Sequence, residues 1–150
     1  MSVTVSLSGG SRLTGSLFLS AFAASHAGPE RLLDLLNAGR GFVPFEVVSA
    51  IGARETILLS RAHIALVQSD TALEDVAEDP GYQVATQKSV ALLLSTGEEL
   101  TGVLRIERPV GRNRLSDGVN DEIGFRYLES PSGILAVNLA QVVRITPLAE

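Results

Sequence analysis

Val3, Val5 and Leu7 alternate with Thr4 and Ser6, the period of two expected of a strand with one buried face. Ser8-Gly9-Gly10 follows, where a tight hairpin needs positive φ. Leu13 to Phe22 then reads as the return strand. The same succession recurs downstream: an apolar run from Val90 to Leu94, the turn Ser95-Thr96-Gly97, and a return strand from Leu100 to Pro109. Gly15 and Gly102, inside the return strands, mark a strong bend or bulge. Later apolar alternation predicts strands at about 43–49, 54–60 and 62–67, and again at about 124–130, 133–138 and 141–146.

These two series are copies of one unit. "VTVSLSGGSRLTGSL" (Val3–Leu17) lies over "VALLLSTGEELTGVL" (Val90–Leu104) at an offset of 87. "RLLDLLNAGRGF" (Arg31–Phe42) lies over "RLSDGVNDEIGF" (Arg114–Phe125) at an offset of 83, with Glu46 and Glu129 beyond. Ile57-Leu58 aligns with Ile134-Leu135, and Ala62 and Ile64 with Ala140 and Val142, at offsets of 77 and 78. Blocks in one order, with length changes only between them, indicate an internal duplication. Five short strands in each copy favour small barrels over a sandwich. The expected organisation is a first repeat over 1–68, a linker over 69–83 and a second repeat over 84–150.

The linker, "SDTALEDVAEDPGYQ", breaks the β rhythm. Leu73, Val76 and Ala77 fit the stripe of a short helix capped by Asp70 or Thr71, and Asp79-Pro80-Gly81 ends it. It also holds the acidity. The net charge is −5, yet residues 1–68 carry five Arg against four acids, residues 69–83 five acids and no base, and residues 84–150 seven bases against eight acids. Such a balance disfavours general polyanion binding. Eleven of the twelve bases are Arg, and the densest patch is Arg105, Arg108, Arg112 and Arg114, with Glu107, Asp117, Asp121 and Glu122 near enough in sequence to neutralise it.

"LFLSAFAASHA" (Leu17–Ala27) resembles a signal peptide, but a single base, Arg12, precedes it and its counterpart is an ordinary strand. No apolar run approaches the roughly 20 residues that span a bilayer. A cytoplasmic protein is expected. Cysteine is absent, which removes disulfides and thiolate chemistry. His26 and His63 are the two histidines, and His63 aligns with Gln141. Two isolated imidazoles make a poor metal site. No nucleophile elbow, phosphate loop or dinucleotide fingerprint is present. The expectation is no catalytic residue, metal or cofactor.

The turn Arg-Leu-x-Asp-x-x-Asn carries the remaining chemistry. Arg31, Asp34 and Asn37 in the first copy, and Arg114, Asp117 and Asn120 in the second, with Arg112 beside them, are the candidate ligand-binding residues. A guanidinium and an amide suit an anion or a base. The same residues also have an architectural reading: Asp accepts backbone N–H groups and pairs with Arg, Asn takes a left-handed turn, and Leu and Phe plug a barrel.

The order strand, hairpin, "LTG", strand, Asp…Asn turn and three more strands resembles the Sm-like (LSm-type) barrel. The motif before a Phe-led strand is also similar to that of an uncharacterised bacterial family. The resemblance implies an all-β protein of two tandem, small, five-stranded Sm-like barrels with a short acidic, helical linker. It departs from the RNA-binding Sm pattern in two places. Asp34 and Asn37, like Asp117 and Asn120, stand one residue closer than in that pattern, and the Arg-Gly before the last strand is replaced by "AHIALV" and "AQVVRI". The leading expectation is therefore a non-enzymatic binding or scaffold protein acting through a protein partner or self-association. RNA or nucleotide binding through the Arg/Asn turns is the rival.

Overall fold

A computed structural model describes residues 1–24, 26–39, 41–71, 85–106 and 124–148. Most of the expected linker and the segment carrying Arg108, Arg112, Arg114, Asp117 and Asn120 lie outside these residues.

The described chain is all-β apart from one short helix. β1 (Ser2–Leu7) and β2 (Arg12–Leu17) form the first hairpin. A loop and the helix α1 (Leu32–Leu36) lead to β3 (Phe42–Val48), β4 (Arg54–Ser60), a 3-10 turn at Arg61–His63 and β5 (Ile64–Ser69). The second half holds β6 (Thr86–Leu94), β7 (Glu99–Ile106), β8 (Phe125–Ser130), β9 (Gly133–Asn138), a 3-10 turn at Leu139–Gln141 and β10 (Val142–Pro147). The expected return strand over Leu13–Phe22 stops at Leu17. There the Met1 ammonium donates to the Leu17 carbonyl. Beyond it, backbone bonding of Glu30 N to Ser20 O closes a loop instead, and Phe22 is 85% exposed.

The ladders of the two halves match residue for residue. Val5 pairs with Leu13 and Val67, while Leu92 pairs with Leu100 and Ile145. Both last strands shift register at the same place, with Ala65 and Val143 as the extra residue. Leu17 faces Phe45 as Leu104 faces Leu128. Phe42 faces Ser60 as Phe125 faces Asn138. This last pair corrects one block of the sequence alignment. β4 and β9 correspond at an offset of 78, so Ile57 matches Leu135 and Leu58 matches Ala136. The matching hairpin partners, rather than the Ile-Leu identity, fix the register.

Gly15 and Gly102 occupy equivalent points of close approach. A Cβ at Gly15 would overlap the Glu46 carbonyl and crowd the Phe45 ring, and at Gly102 it would come within 2.5 Å of the Glu129 carbonyl. Only glycine lets β2 and β7 cross their neighbours so closely.

Two separate five-stranded barrels were the expectation; the strands instead form one antiparallel sheet in the order β10-β6-β7-β8-β9-β5-β1-β2-β3-β4. β4 does not close onto β5 within its own half. β5 pairs with β9 of the other half, through Leu66↔Val137, Val67↔Ala136 and Gln68↔Leu135. The physical reason lies in the side chains of this seam. Leu66 packs into the second half's cluster with Leu92, Leu128 and Leu135, while Ala136 and Phe125 pack into the first half's cluster with Val5, Phe45 and Val67. Each strand of the seam lends a side chain to the other half's core, so burial of Val67, Ala136 and Val137 depends on the pairing. Among the described residues the sheet ends at β4 and β10, each with a ladder on one side only. No helix among the described residues is long and apolar enough to cross a membrane.

Candidate functional site

The Arg31–Asn37 turn is held locally by Asp34. Its Oδ2 accepts the Arg31 backbone N–H at 2.8 Å, one of the donors a helix start leaves unsatisfied. Leu32 and Leu36, one turn apart, are the buried face of α1. Asp34 Oδ2 also lies 2.6 Å from His26 Nε2, and His26 Nδ1 lies 2.9 Å from the Ala27 carbonyl. Both imidazole nitrogens thus face acceptors, which only the doubly protonated ring satisfies. The Ala27 carbonyl and then Asp34 raise the His26 pKa above its ordinary value. Partial burial pushes Asp34 up, but the Arg31 N–H and His26 outweigh it and hold the carboxyl below its ordinary value.

Asn37 reaches across to the second half. Its Oδ1 accepts the Phe125 N–H at 2.8 Å and its Nδ2 donates to the Phe125 carbonyl at 3.1 Å. The side chain thus pairs with β8 as a neighbouring strand would. Gly124 lies under this amide at φ 114°, where a Cβ would stand 2.7 Å from Asn37 Oδ1. The expected left-handed turn at Asn37 is not adopted: its φ is −95°, because the residue works through its side chain. Asp34 and Asn37 are therefore engaged within the protein. Arg112, Arg114, Asp117 and Asn120 lie outside the described residues.

Of the proposed basic patch, Arg105 is described. Its Nε and Nη2 donate to the two carboxylate oxygens of Glu129 at 3.0 and 3.3 Å. Glu129 reaches Arg105 from the adjacent strand β8, while Glu107, Asp117, Asp121 and Glu122 lie outside the described residues.

Between the two halves lies an open-sided pocket of about 530 Å³ lined by Leu36, Asn37, Arg61, Phe125, Asn138 and Ala140, among others. Its size suits a small ligand. Several of its polar atoms already have partners within the protein. Arg61 donates Nε to the Leu35 carbonyl at 3.1 Å and Nη1 to the Phe42 carbonyl at 3.0 Å. Asn138, 3% exposed, donates Nδ2 to the carbonyls of Ile64 and Arg61 at 2.9 and 3.3 Å and accepts the Ala140 N–H at 3.0 Å. Gln141 Nε2 donates to the Ala62 carbonyl at 2.7 Å. Asn138 and Gln141 bind the halves together where a catalytic or recognition group would need free valences. Sequence reasoning missed Arg61 and Asn138. Asn138 aligns with Ser60, and such a substitution at a strand end gives no signal until the partner strand is known.

One pair resembles a nucleophile with its base. Ser8 Oγ lies 2.9 Å from His63 Nδ1. The second half repeats the contact between Ser95 Oγ and Gln141 Oε1, with the same backbone bond at 2.8 Å from Ser8 N to His63 O and from Ser95 N to Gln141 O. A glutamine cannot serve as a base, so the shared task is bracing the hairpin against the 3-10 turn. Among the described residues no group of three or more His, Asp or Glu side chains is placed to hold a metal ion. Comparison with known proteins finds no matching family model, no matching curated protein and no matching solved structure.

Proposed function

We propose that this chain is a non-enzymatic interaction and scaffold protein, built from two Sm-like repeats and acting through its sheet edges. The observation that carries this reading is the pair of unsatisfied ends of the sheet. Among the described residues β4 and β10 each have a strand neighbour on one side only, with Leu58 at 64% and Val143 at 67% exposure. Exposed apolar edges are what β-augmentation uses, main-chain hydrogen bonds giving affinity and side chains giving specificity. The repeat reading is supported by the matched ladders and matched register shift. RNA or nucleotide binding through the Arg/Asn turns ranks second, because Asn37 and Asp34 already spend their polar atoms on Phe125, Arg31 and His26.

Amide hydrogen exchange tests the reading. In any associated form, β4 and β10 amides are expected to gain protection relative to dilute protein. A complex that leaves both edges as fast-exchanging as in the dilute chain sinks it. Anisotropy with labelled single-stranded RNA at about 150 mM salt is expected to show no saturable binding, since few phosphates are neutralised by an acidic protein.

A further inference from the structure

The loop between β2 and α1 holds a titratable ring whose contacts suit only one of its charge states. His26 Nε2 lies 2.6 Å from Asp34 Oδ2, and Nδ1 lies 2.9 Å from the Ala27 carbonyl oxygen. The imidazolium donates to both. The neutral ring keeps one N–H and gains one lone pair, so one contact then sets a lone pair against an oxygen at hydrogen-bond distance. Asp34 carries charge, and its Oδ2 is also held by the Arg31 backbone N–H at 2.8 Å. A charge-assisted bond to a carboxylate so anchored is the stronger of the two and the harder to move. The contact that gives way is the one to Ala27.

The Ala27 carbonyl belongs to the peptide shared with Gly28, and Gly28 has φ 105°. Turning that plane over carries Gly28 to negative φ, a change that glycine makes at little steric cost. The same rotation interconverts type II and type I turns, whose second central residue has φ near about +80° and about −90° respectively. It brings the Gly28 N–H round to the side the carbonyl had faced. That N–H makes no hydrogen bond among the described residues. The Gly28 carbonyl, which accepts the Ala23 N–H at 2.9 Å, is part of the next peptide and keeps its place.

We propose that the peptide between Ala27 and Gly28 is a proton-operated switch, its carbonyl facing Nδ1 of the charged His26 ring and its N–H facing the bare Nδ1 of the neutral one. This is independent of the edge-acting reading above. The charges that act on the ring are Asp34 on α1, which favours the imidazolium, and Arg31 at the start of α1, which opposes it. The remaining acid of the loop, Glu30, turns its carboxylate to the Ser20 N–H at 3.0 Å. The Ala27 carbonyl does most to hold His26 above its ordinary value of 6.5, so the group that turns is the one on which the ring's charge most depends. The switch therefore works above pH 6.5. It lies in the loop that shows Phe18 and Phe22 to solvent, and the proton resets the backbone that carries those rings.

Nitrogen NMR of the full chain, titrated from below to above the His26 midpoint, tests this. The neutral ring is expected to carry its proton on Nε2, with Nδ1 bare and accepting a hydrogen bond. The Gly28 amide proton is expected to move downfield with the same midpoint and, alone in its loop, to gain protection as pH rises. In His26→Gln the Gly28 amide is expected to lose that titration. Gly28→Ala supplies the second arm. Nothing lies within 4 Å of the Cβ it adds, so it acts through the backbone alone. An L-residue before Pro29 prefers negative φ, so the variant is expected to hold the turned plane at every pH and to lower the His26 pKa. A His26 pKa unchanged or raised in Gly28→Ala overturns the proposal. So does a neutral ring protonated on Nδ1, which would mean that Asp34 gives way and the peptide stays. Should Gly28→Ala fail to fold, the tautomer and the Gly28 titration in the unmodified chain decide the matter.

Discussion

The seam between the halves and the open ends of the sheet are built from corresponding strands, yet they differ in chemistry. At the seam, the position facing Phe125 across its hairpin is Asn138, buried and bonded three ways; at the open edge, the position facing Phe42 is Ser60, partly exposed. At the seam a small Ala136 fits between two cores; at the edge Leu58 projects into solvent. A strand's hydrogen-bonding role follows from topology, whereas the permanence of a contact follows from the polar side chains that tie it. Asn138, Gln141 and Asn37 tie the seam with side-chain bonds to backbone groups of the first half or of β8. Of the three, Asn138 is the buried one, and its bonds are unforgiving because an unpaired buried partner costs its full desolvation.

The largest contrast is expected at that first pair. Asn138→Ala strands the Ile64 carbonyl and the Ala140 N–H, and is expected to lower unfolding free energy by about 2–3 kcal/mol, while Ser60→Ala changes it by less than about 0.5 kcal/mol. Equal losses in urea melts would mean that the seam is no more committed than the edge.

Next comes shape. Ala136→Leu, which gives the seam the side chain of the edge, is expected to cost about 1–3 kcal/mol by overpacking. Leu58→Ala, the reverse change, is expected to leave the stability of the dilute chain nearly unchanged. A well-tolerated Ala136→Leu would show that the seam has room to spare.

Asn37→Ala removes both bonds to Phe125 and is expected to destabilise by about 1–2 kcal/mol, with faster amide exchange at the start of β8. Exchange unchanged at Phe125 would return Asn37 to the pool of free, ligand-facing residues.

The smallest effect concerns the loop before α1. His26 has a raised pKa, so its stabilising contribution is fully present below about 6.5 and fades as pH rises through the raised value. Asp34 has a lowered pKa, so its contribution is present above about 3.8 and fades as pH falls through the lowered value. The pair therefore favours folding most between these limits. Proton NMR is expected to show His26 titrating above 6.5 and loop amides between 18 and 30 losing protection, relative to their intrinsic base-catalysed exchange, as pH rises through the raised value. His26→Gln should abolish that pH dependence, and a His26 that titrates at or below its ordinary value would break the assignment.

Most of the strands, and their correspondence outside the β4/β9 block, are legible in the residue order alone. Alternation at Val3, Val5 and Leu7, the repeated "LTG" and the glycines at 15 and 102 are local or pairwise signals, and a strand's period of two survives in one dimension. The residue order also marks the Arg-Leu-x-Asp-x-x-Asn turn as special, and the architectural reading of Asp34 follows from helix-start chemistry that acts over three residues. What those strands do at their free sides is set by contacts distant in sequence. Whether β4 turns back on β5 or β5 reaches β9 depends on which side chains find a core, a competition between contacts dozens of residues apart. No local pattern records its outcome. For the same reason Asn37 was legible as a turn residue but not as a clamp on Phe125, 88 residues away, and Asn138 was not legible at all: its partners belong to the other half and become its neighbours only when the sheet is continuous.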